Sequence, residues 1–319
     1  MPVFARSLSL AFGAALLWCT AASAQPRGSA STLREADARV ARVAWRLALA
    51  GRDICPASFP ATGILFHHLA EYEADDRRLM LAHGLGRGPG ILTVLEGSPG
   101  AGAGLAAGDV LLSVDGAALP SPLEIAAEPM RKLWRARVEE SEKLLEDRLR
   151  AGPVRLEILR EGRVLAMSLG SVPACLGRVR LARSTQVNAF ASGSRVIMTT
   201  AMLAYLRSDD ELAVVLAHEL SHNILGHPDL LDAQGVPKRG ILRGIGKNAK
   251  RVWRTEAEAD RFAIRLVAAA GFDVGAAIPF WRRYYADYDI FPQIFRTHPS
   301  LGARERITLE AIAALPAAR

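Results

Sequence analysis

"AHELSHNILGH", residues Ala217–His227, holds three of the seven histidines in a chain of 319 residues. His218 and His222 stand four positions apart. Just upstream, Ser208-Asp209-Asp210-Glu211 sets Ser and Glu at capping-box spacing, and the apolar run "LAVVLA" follows at once. The pattern predicts a helix from Ser208 through His222, stopped by Gly226. On such a helix the two imidazoles lie about 6 Å apart along the axis and point the same way. That suits two ring nitrogens converging on one zinc ion at about 2.0–2.1 Å. Glu219 projects about 100° away from His218, too far round to join as a ligand. It can reach a water at the ion, so His-Glu-x-x-His divides into two ligands and one base.

A catalytic zinc takes three protein ligands and leaves one position open. His227 is a poor third. It follows His222 by five residues and Gly226 by one, which departs from HExxHxxGxxH, and it reads as a loop or packing histidine. "TEAEADRFAIRLVAAAG", residues 255–271, is the better source. Ala259, Phe262, Ala263, Leu266 and Val267 recur at helical spacing. Glu256 and Asp260 share a face one turn apart. Glu256 can ligate while Asp260 holds the other ring nitrogen of a ligand imidazole. Glu258, nearly opposite both, is the alternative ligand and would lose that partner.

HExxH followed by ExxxD on a second helix resembles the gluzincin metallopeptidases. With "VNAFASGSRVIMTTAML" (187–203), "DDELAVVLAHELSHNILGH" (209–227), "EAEAD" (256–260) and "RTHPSLGARERI" (296–307), the resemblance narrows to the M48 family. It covers about residues 175–315. It implies a mainly helical metallopeptidase domain with a small edge sheet over 173–319, and one Zn2+ per chain. It supports Glu256 as the third ligand beside His218 and His222, with Glu219 catalytic. It also implies that His298 approaches the site, either stabilising an oxyanion or plugging the open coordination position; the alternative is a loop histidine before Pro299. "NAFASG" resembles the family's strand beside the cleft, where Asn188, Ala189 and Phe190 would align a substrate peptide by main-chain hydrogen bonds.

Upstream, the strand-like runs "ILTVL" and "DVLLSVDG" flank a small-residue segment, and Asp115-Gly116 is a turn signal. "PVRLEILREGRVLAMSLG" reads as a hairpin turning at Glu161-Gly162. Ser98-Pro99, Ala103-Gly104-Leu105, Ala107-Gly108-Asp109 and Val114-Asp115-Gly116 resemble a circularly permuted bacterial PDZ domain, placed at 84–172. Such domains bind an extended peptide as an added strand beside a helix. This chain departs from the pattern in a long charged insertion, 121–151, with a break at Pro129. The insertion reads first as a solvated amphipathic helix, with a partner surface as the alternative.

Residues 33–50 read as a helix with one apolar stripe, within an N-terminal helical segment, 25–83. Before it, Arg6, the run "LSLAFGAALLW" and Ala22-Ser23-Ala24 form a signal-peptide pattern over 1–24, cleaved after Ala24. The run is too short to span a bilayer comfortably, though an uncleaved anchor is the other reading. Export to the periplasm or beyond makes a Cys55–Cys175 disulfide the expected state of the two remaining cysteines. A net charge of +7 with sparse aromatics does not indicate nucleic-acid binding. Seven basic residues and no acid occupy 237–254, which reads as a solvated loop, a lid, or a peripheral contact with anionic lipid.

The whole is expected to be α+β, a PDZ-like β-barrel-type domain preceding the metallopeptidase domain. The expected function is an exported zinc endopeptidase acting on protein or peptide substrates, in envelope protein quality control. A peptide ligand in the PDZ-like groove is a further expected partner. The alternative is a peptide-binding scaffold or chaperone with a silent protease domain.

Overall fold

The computed structural model describes residues 30–128, 131–238, 241–288 and 298–316. The signal-peptide pattern and its cleavage site lie outside them. The fold is α+β. In the strand Val154–Arg160, Val154, Leu156 and Ile158 are buried while Arg155 and Glu157 are exposed, the period-two pattern of a half-buried sheet. Its hairpin partner Arg163–Leu169 is reached through Glu161 and Gly162, with φ of 50° and 79°. Two consecutive positive φ values make the turn whose twist matches that of the flanking strands. Asp115-Gly116 repeats the device between Val110–Val114 and Ala117–Ala118.

The resulting sheet runs Ile64–His67, Gly90–Val94, Val110–Val114, Val154–Arg160, Arg163–Leu169, with Ala117–Ala118 beside Val110–Val114. All of these pairings are antiparallel. Phe66, Ile91, Leu111, Leu156 and Ile158 pack with Leu145 and Leu149 of the helix Arg131–Leu149. The sheet thus takes in a strand that precedes the boundary expected at residue 84.

A second core is helical. Leu212, Leu216 and Leu220 of the helix Asp209–Ile224 pack with Ala263, Leu266 and Val267 of the helix Gly246–Ala269. Val40, Val43, Ala44 and Leu47 of the first helix, Ala30–Ala50, enter the same core. An apolar stripe shows that a helix packs but not on what, so this placement was beyond the sequence. Gly51 ends the first helix where a Cβ would meet Leu266 Cδ2 at 2.4 Å and Cys175 Sγ at 2.6 Å.

The disulfide joins Cys55 to Cys175 with Cα atoms 5.8 Å apart. Beside it Phe59–Ala61 pairs antiparallel with Val172–Ala174. The bridge closes a loop of 120 residues, so by chain entropy it restrains the unfolded chain by up to about 5 kcal/mol. A Cys55→Ser/Cys175→Ser variant is expected to lose about 2–5 kcal/mol in urea unfolding. A loss below about 1 kcal/mol would contradict that role.

A small three-stranded sheet borders the helices in the order Ala189–Ala191, Val196–Thr199, Val179–Ala182, the first pair antiparallel and the second parallel. Ala189–Ala191 is its edge. The charged insertion forms two helices, Pro122–Ala127 and Arg131–Leu149, on either side of Pro129. The longer one is not simply solvated. Glu142 and Glu146 on it meet Arg195 and Arg178, both beside the small sheet. Helical periodicity shows a charged face but not a cation some 30 to 50 residues away. Among the described residues, no helix is long and apolar enough to cross a membrane.

Candidate metal centre

Ser208 caps the helix Asp209–Ile224 by accepting from the Glu211 N–H at 3.1 Å. Glu211 does not close the box on Ser208. It accepts from the Arg207 N–H at 2.8 Å and from the Arg283 guanidinium at 2.6 and 2.9 Å. The helix is thereby anchored at its start, and Gly226, at φ 66°, turns the chain after its end. His218 and His222 project from its last turns with their Nε2 atoms 3.3 Å apart. From the helix Gly246–Ala269, Glu256 brings Oε2 to 3.5 Å from His218 Nε2 and Oε1 to 3.5 Å from His222 Nε2. Ligand atoms of these three residues all lie within 4.8 Å of one another. Among the described residues they are the one such group of His, Cys, Asp and Glu.

The ring nitrogens facing away from this centre are also held. His218 Nδ1 is 2.9 Å from Asp260 Oδ1, which leaves the Nε2 lone pair for a cation. His222 Nδ1 is 3.0 Å from His227 Nδ1, and His227 Nε2 faces Glu258 Oε2 at 3.4 Å. One tautomer pair leaves His222 Nε2 bare: His222 Nδ1–H donates to His227 Nδ1, and His227 Nε2–H faces the Glu258 charge without a hydrogen bond. Glu258 is therefore placed behind the imidazoles and not at the centre. His227, expected as a loop or packing residue, is buried beneath His222 at the start of the helix His227–Ala233. Its Pro228 neighbour and its irregular spacing hid it. Replacing it by Phe is expected to weaken metal affinity by about 10–100-fold in a chelator competition, as loss of an orienting partner does; unchanged affinity would remove that role.

Burial favours neutral His218, yet Asp260 and Glu256 outweigh it and push its pKa up to about 10. Burial would raise Glu256, but His298, His222 and His218 hold it well below the usual carboxylate range. Burial pushes His222 down to about 3, so that imidazole stays neutral. Two nitrogens and a carboxylate of this disposition fit a divalent zinc ion.

Arg304 is the other group that the sequence left without a role. It is buried, with Nε 3.0 Å from Asp260 Oδ2 and a terminal nitrogen 3.2 Å from Glu256 Oε2. Its guanidinium lies 4.1 Å over the Trp281 ring, and Trp281 in turn packs against His218. It sits within the "RTHPSLGARERI" segment, but nothing in its spacing linked it to Glu256, 48 residues earlier.

Glu219 lies beside the centre. Burial raises its pKa, while the His218 charge and the Ala191 N–H lower it in part. His298 places Nδ1 2.7 Å from Glu256 Oε2 and remains exposed. Asn188 begins the edge strand. Its carbonyl accepts from the Thr199 N–H at 3.0 Å, and Ser192 N–H donates to the Arg195 carbonyl at 2.9 Å. By the alternation of an antiparallel pair, Asn188, Phe190 and Ser192 bond inward, so the main-chain groups of Ala189 and Ala191 face away from the sheet. Ala191 faces Glu219; Ala189 is left on the open edge.

Residues 157–239 and 251–311 match the model for peptidase family M48. A putative beta-barrel assembly-enhancing protease of Vibrio cholerae serotype O1 is 30% identical over 148 residues, which cover 37% of this chain and 31% of the relative. The beta-barrel assembly-enhancing protease of Yersinia pestis is 29% identical over 153 residues, with the same two coverages. The chain thus spans about a third of the length of the curated relatives it matches. The match takes in the helix that carries HExxH, the helix that supplies Glu256 and the segment that supplies Arg304, and the chain accordingly carries a domain of peptidase family M48.

Proposed function

We propose that this chain is an exported, zinc-dependent endopeptidase in which His218, His222 and Glu256 hold the metal. The observation that carries the reading is the convergence of the His218 and His222 Nε2 atoms on the Glu256 carboxylate. Zinc held there supplies Lewis acidity, acidifying a water and polarising a peptide carbonyl. The chain's own residues do the rest. Glu219, whose carboxylate pKa is raised by burial, takes the proton from that water and returns it to the leaving amine. Asp260 and His227 hold the two imidazoles in the ligating tautomer. The open edge at Ala189 pairs with the substrate main chain, next to Asn188 and Phe190. His298 keeps the Glu256 carboxylate oriented from the solvent side.

The expected measurement is casein hydrolysis that a chelator abolishes and added zinc restores. Hydrolysis untouched by a chelator, in protein shown to have lost its metal, would rule the reading out. Membership of family M48 and the printed names of the two relatives support envelope protein quality control as the setting, with protein substrates. Peripheral contact with anionic lipid through 237–254 is supported by exposed Leu242, Ile245 and Trp253 beside exposed Lys247, Lys250 and Arg254.

The six-stranded sheet with the helix Arg131–Leu149 forms the PDZ-like module of this reading. Its strand–helix groove, between Ile64–Phe66 and Leu145–Leu149, opens on a cavity of about 130 Å³. The far wall of that cavity is the chain's own Trp45, Ala48 and Leu176. In the arrangement seen, the module braces the peptidase domain.

A further inference from the structure

The helix Arg131–Leu149 carries Glu139, Glu142 and Glu146 on one face, at positions i, i+3 and i+7. Each is committed to the small sheet or its flank. Glu146 accepts from Arg178 Nε at 2.7 Å. Glu142 accepts from the Arg195 guanidinium at 2.8 Å. Glu139 accepts from Ser194 Oγ at 2.8 Å and lies 3.4 Å from Arg195 Nε. The Arg195 and Glu142 side chains are about nine-tenths buried, so their attraction is little screened.

Ser194 and Arg195 belong to the turn that joins the edge strand Ala189–Ala191 to Val196–Thr199. The same turn is fastened on its other side to the helix of the metal centre. The Gly193 N–H donates to Asn223 Oδ1 at 2.7 Å, and Asn223 directly follows the ligand His222. The Ala191 N–H also faces Glu219 and lowers its carboxylate pKa in part. The hairpin is therefore held between the module's helix on one side and the base and a ligand's neighbour on the other. A turn with one anchor can pivot; one with anchors on both sides fixes the register and height of its edge strand.

We infer that Glu139 and Glu142 are positioning residues for substrate. Through Ser194 and Arg195 they fix the edge strand that receives the peptide and that faces the base at Ala191. The inference rests on the reading of Ala189–Ala191 as the substrate strand, and it makes the module part of the cleft's construction. Glu139 is the informative position, because it is a third exposed and its loss leaves the buried Arg195–Glu142 pair intact.

The experiment uses full-length zinc-loaded protein with Glu139→Ala, Ser194→Ala and Glu139→Gln. For a peptide long enough to lie along the edge strand, KM is expected to rise roughly fivefold to tenfold in the first two variants, as loss of one hydrogen bond of ordinary net worth implies. Metal content and melting temperature should stay at wild-type values. Glu139→Gln, whose amide oxygen still accepts from Ser194, should restore most of the loss. A structural role alone would lower stability and kcat together for every substrate, and that result would overturn the inference, as would an unchanged KM. Amide hydrogen exchange at Ala191 and Gly193 separates this from the proposed activity. Faster exchange in Glu139→Ala is expected even if the chain cleaved nothing, and unchanged exchange would overturn the positioning role by itself.

Discussion

Glu219→Gln is expected to lower kcat for casein or a peptide by about 10²–10⁴-fold while the protein keeps its zinc. The substitution is nearly isosteric and leaves an acceptor for the Ala191 N–H. It removes only the capacity to take and return a proton. The three metal-holding residues are untouched, so a metal assay should give wild-type stoichiometry. Two other results would be informative in the opposite sense. A variant that loses zinc together with activity would make Glu219 a ligand. A variant that cleaves at the wild-type rate would place the base elsewhere.

Arg304→Met is expected to be the most destabilising single substitution near the centre. The methionine keeps some packing against Trp281 but removes the only guanidinium that touches both Asp260 and Glu256 among the described residues. Two buried carboxylates then lose their shared guanidinium and keep the His218 and His298 rings beside them, and breaking such a buried pair costs about 3–5 kcal/mol. The sign with metal can be worked out. Zinc returns positive charge to Glu256 and binds the folded state alone, so it stabilises by RT ln(1 + [Zn]/Kd) and offsets part of the deficit. Thermal unfolding should therefore show a large loss in chelator and a smaller one in zinc. Arg304→Lys should rescue little, because an ammonium cannot fork to two carboxylates. A deficit below about 1 kcal/mol in chelator would show that the buried network is not what holds the two carboxylates of the helix Gly246–Ala269 in place.

The positions that the sequence made legible share a property. His218, Glu219 and His222 lie within one helix, as do Glu256 and Asp260, and the 3.6-residue period with the Ser208 cap turns their spacing into geometry. The hairpins at Asp115-Gly116 and Glu161-Gly162 are local in the same way. What stayed hidden is what closes across the chain. His227 becomes a partner of His222 only because the αL turn at Gly226 folds the next helix back beneath it. Arg304 reaches Glu256 across 48 residues. Glu139 and Glu142 read as solvation until Ser194 and Arg195 are brought to them from more than 50 residues downstream. The first helix announced an apolar face, yet only the fold shows that this face meets the core behind the metal centre.

Crystals of zinc-loaded protein, with anomalous differences recorded at the zinc edge, test the metal assignment itself. A single peak bonded to His218 Nε2, His222 Nε2 and the Glu256 carboxylate, with Glu219 beside it and unbonded, is the expected density. A peak elsewhere, or none at saturating zinc with the helices in place, would contradict it.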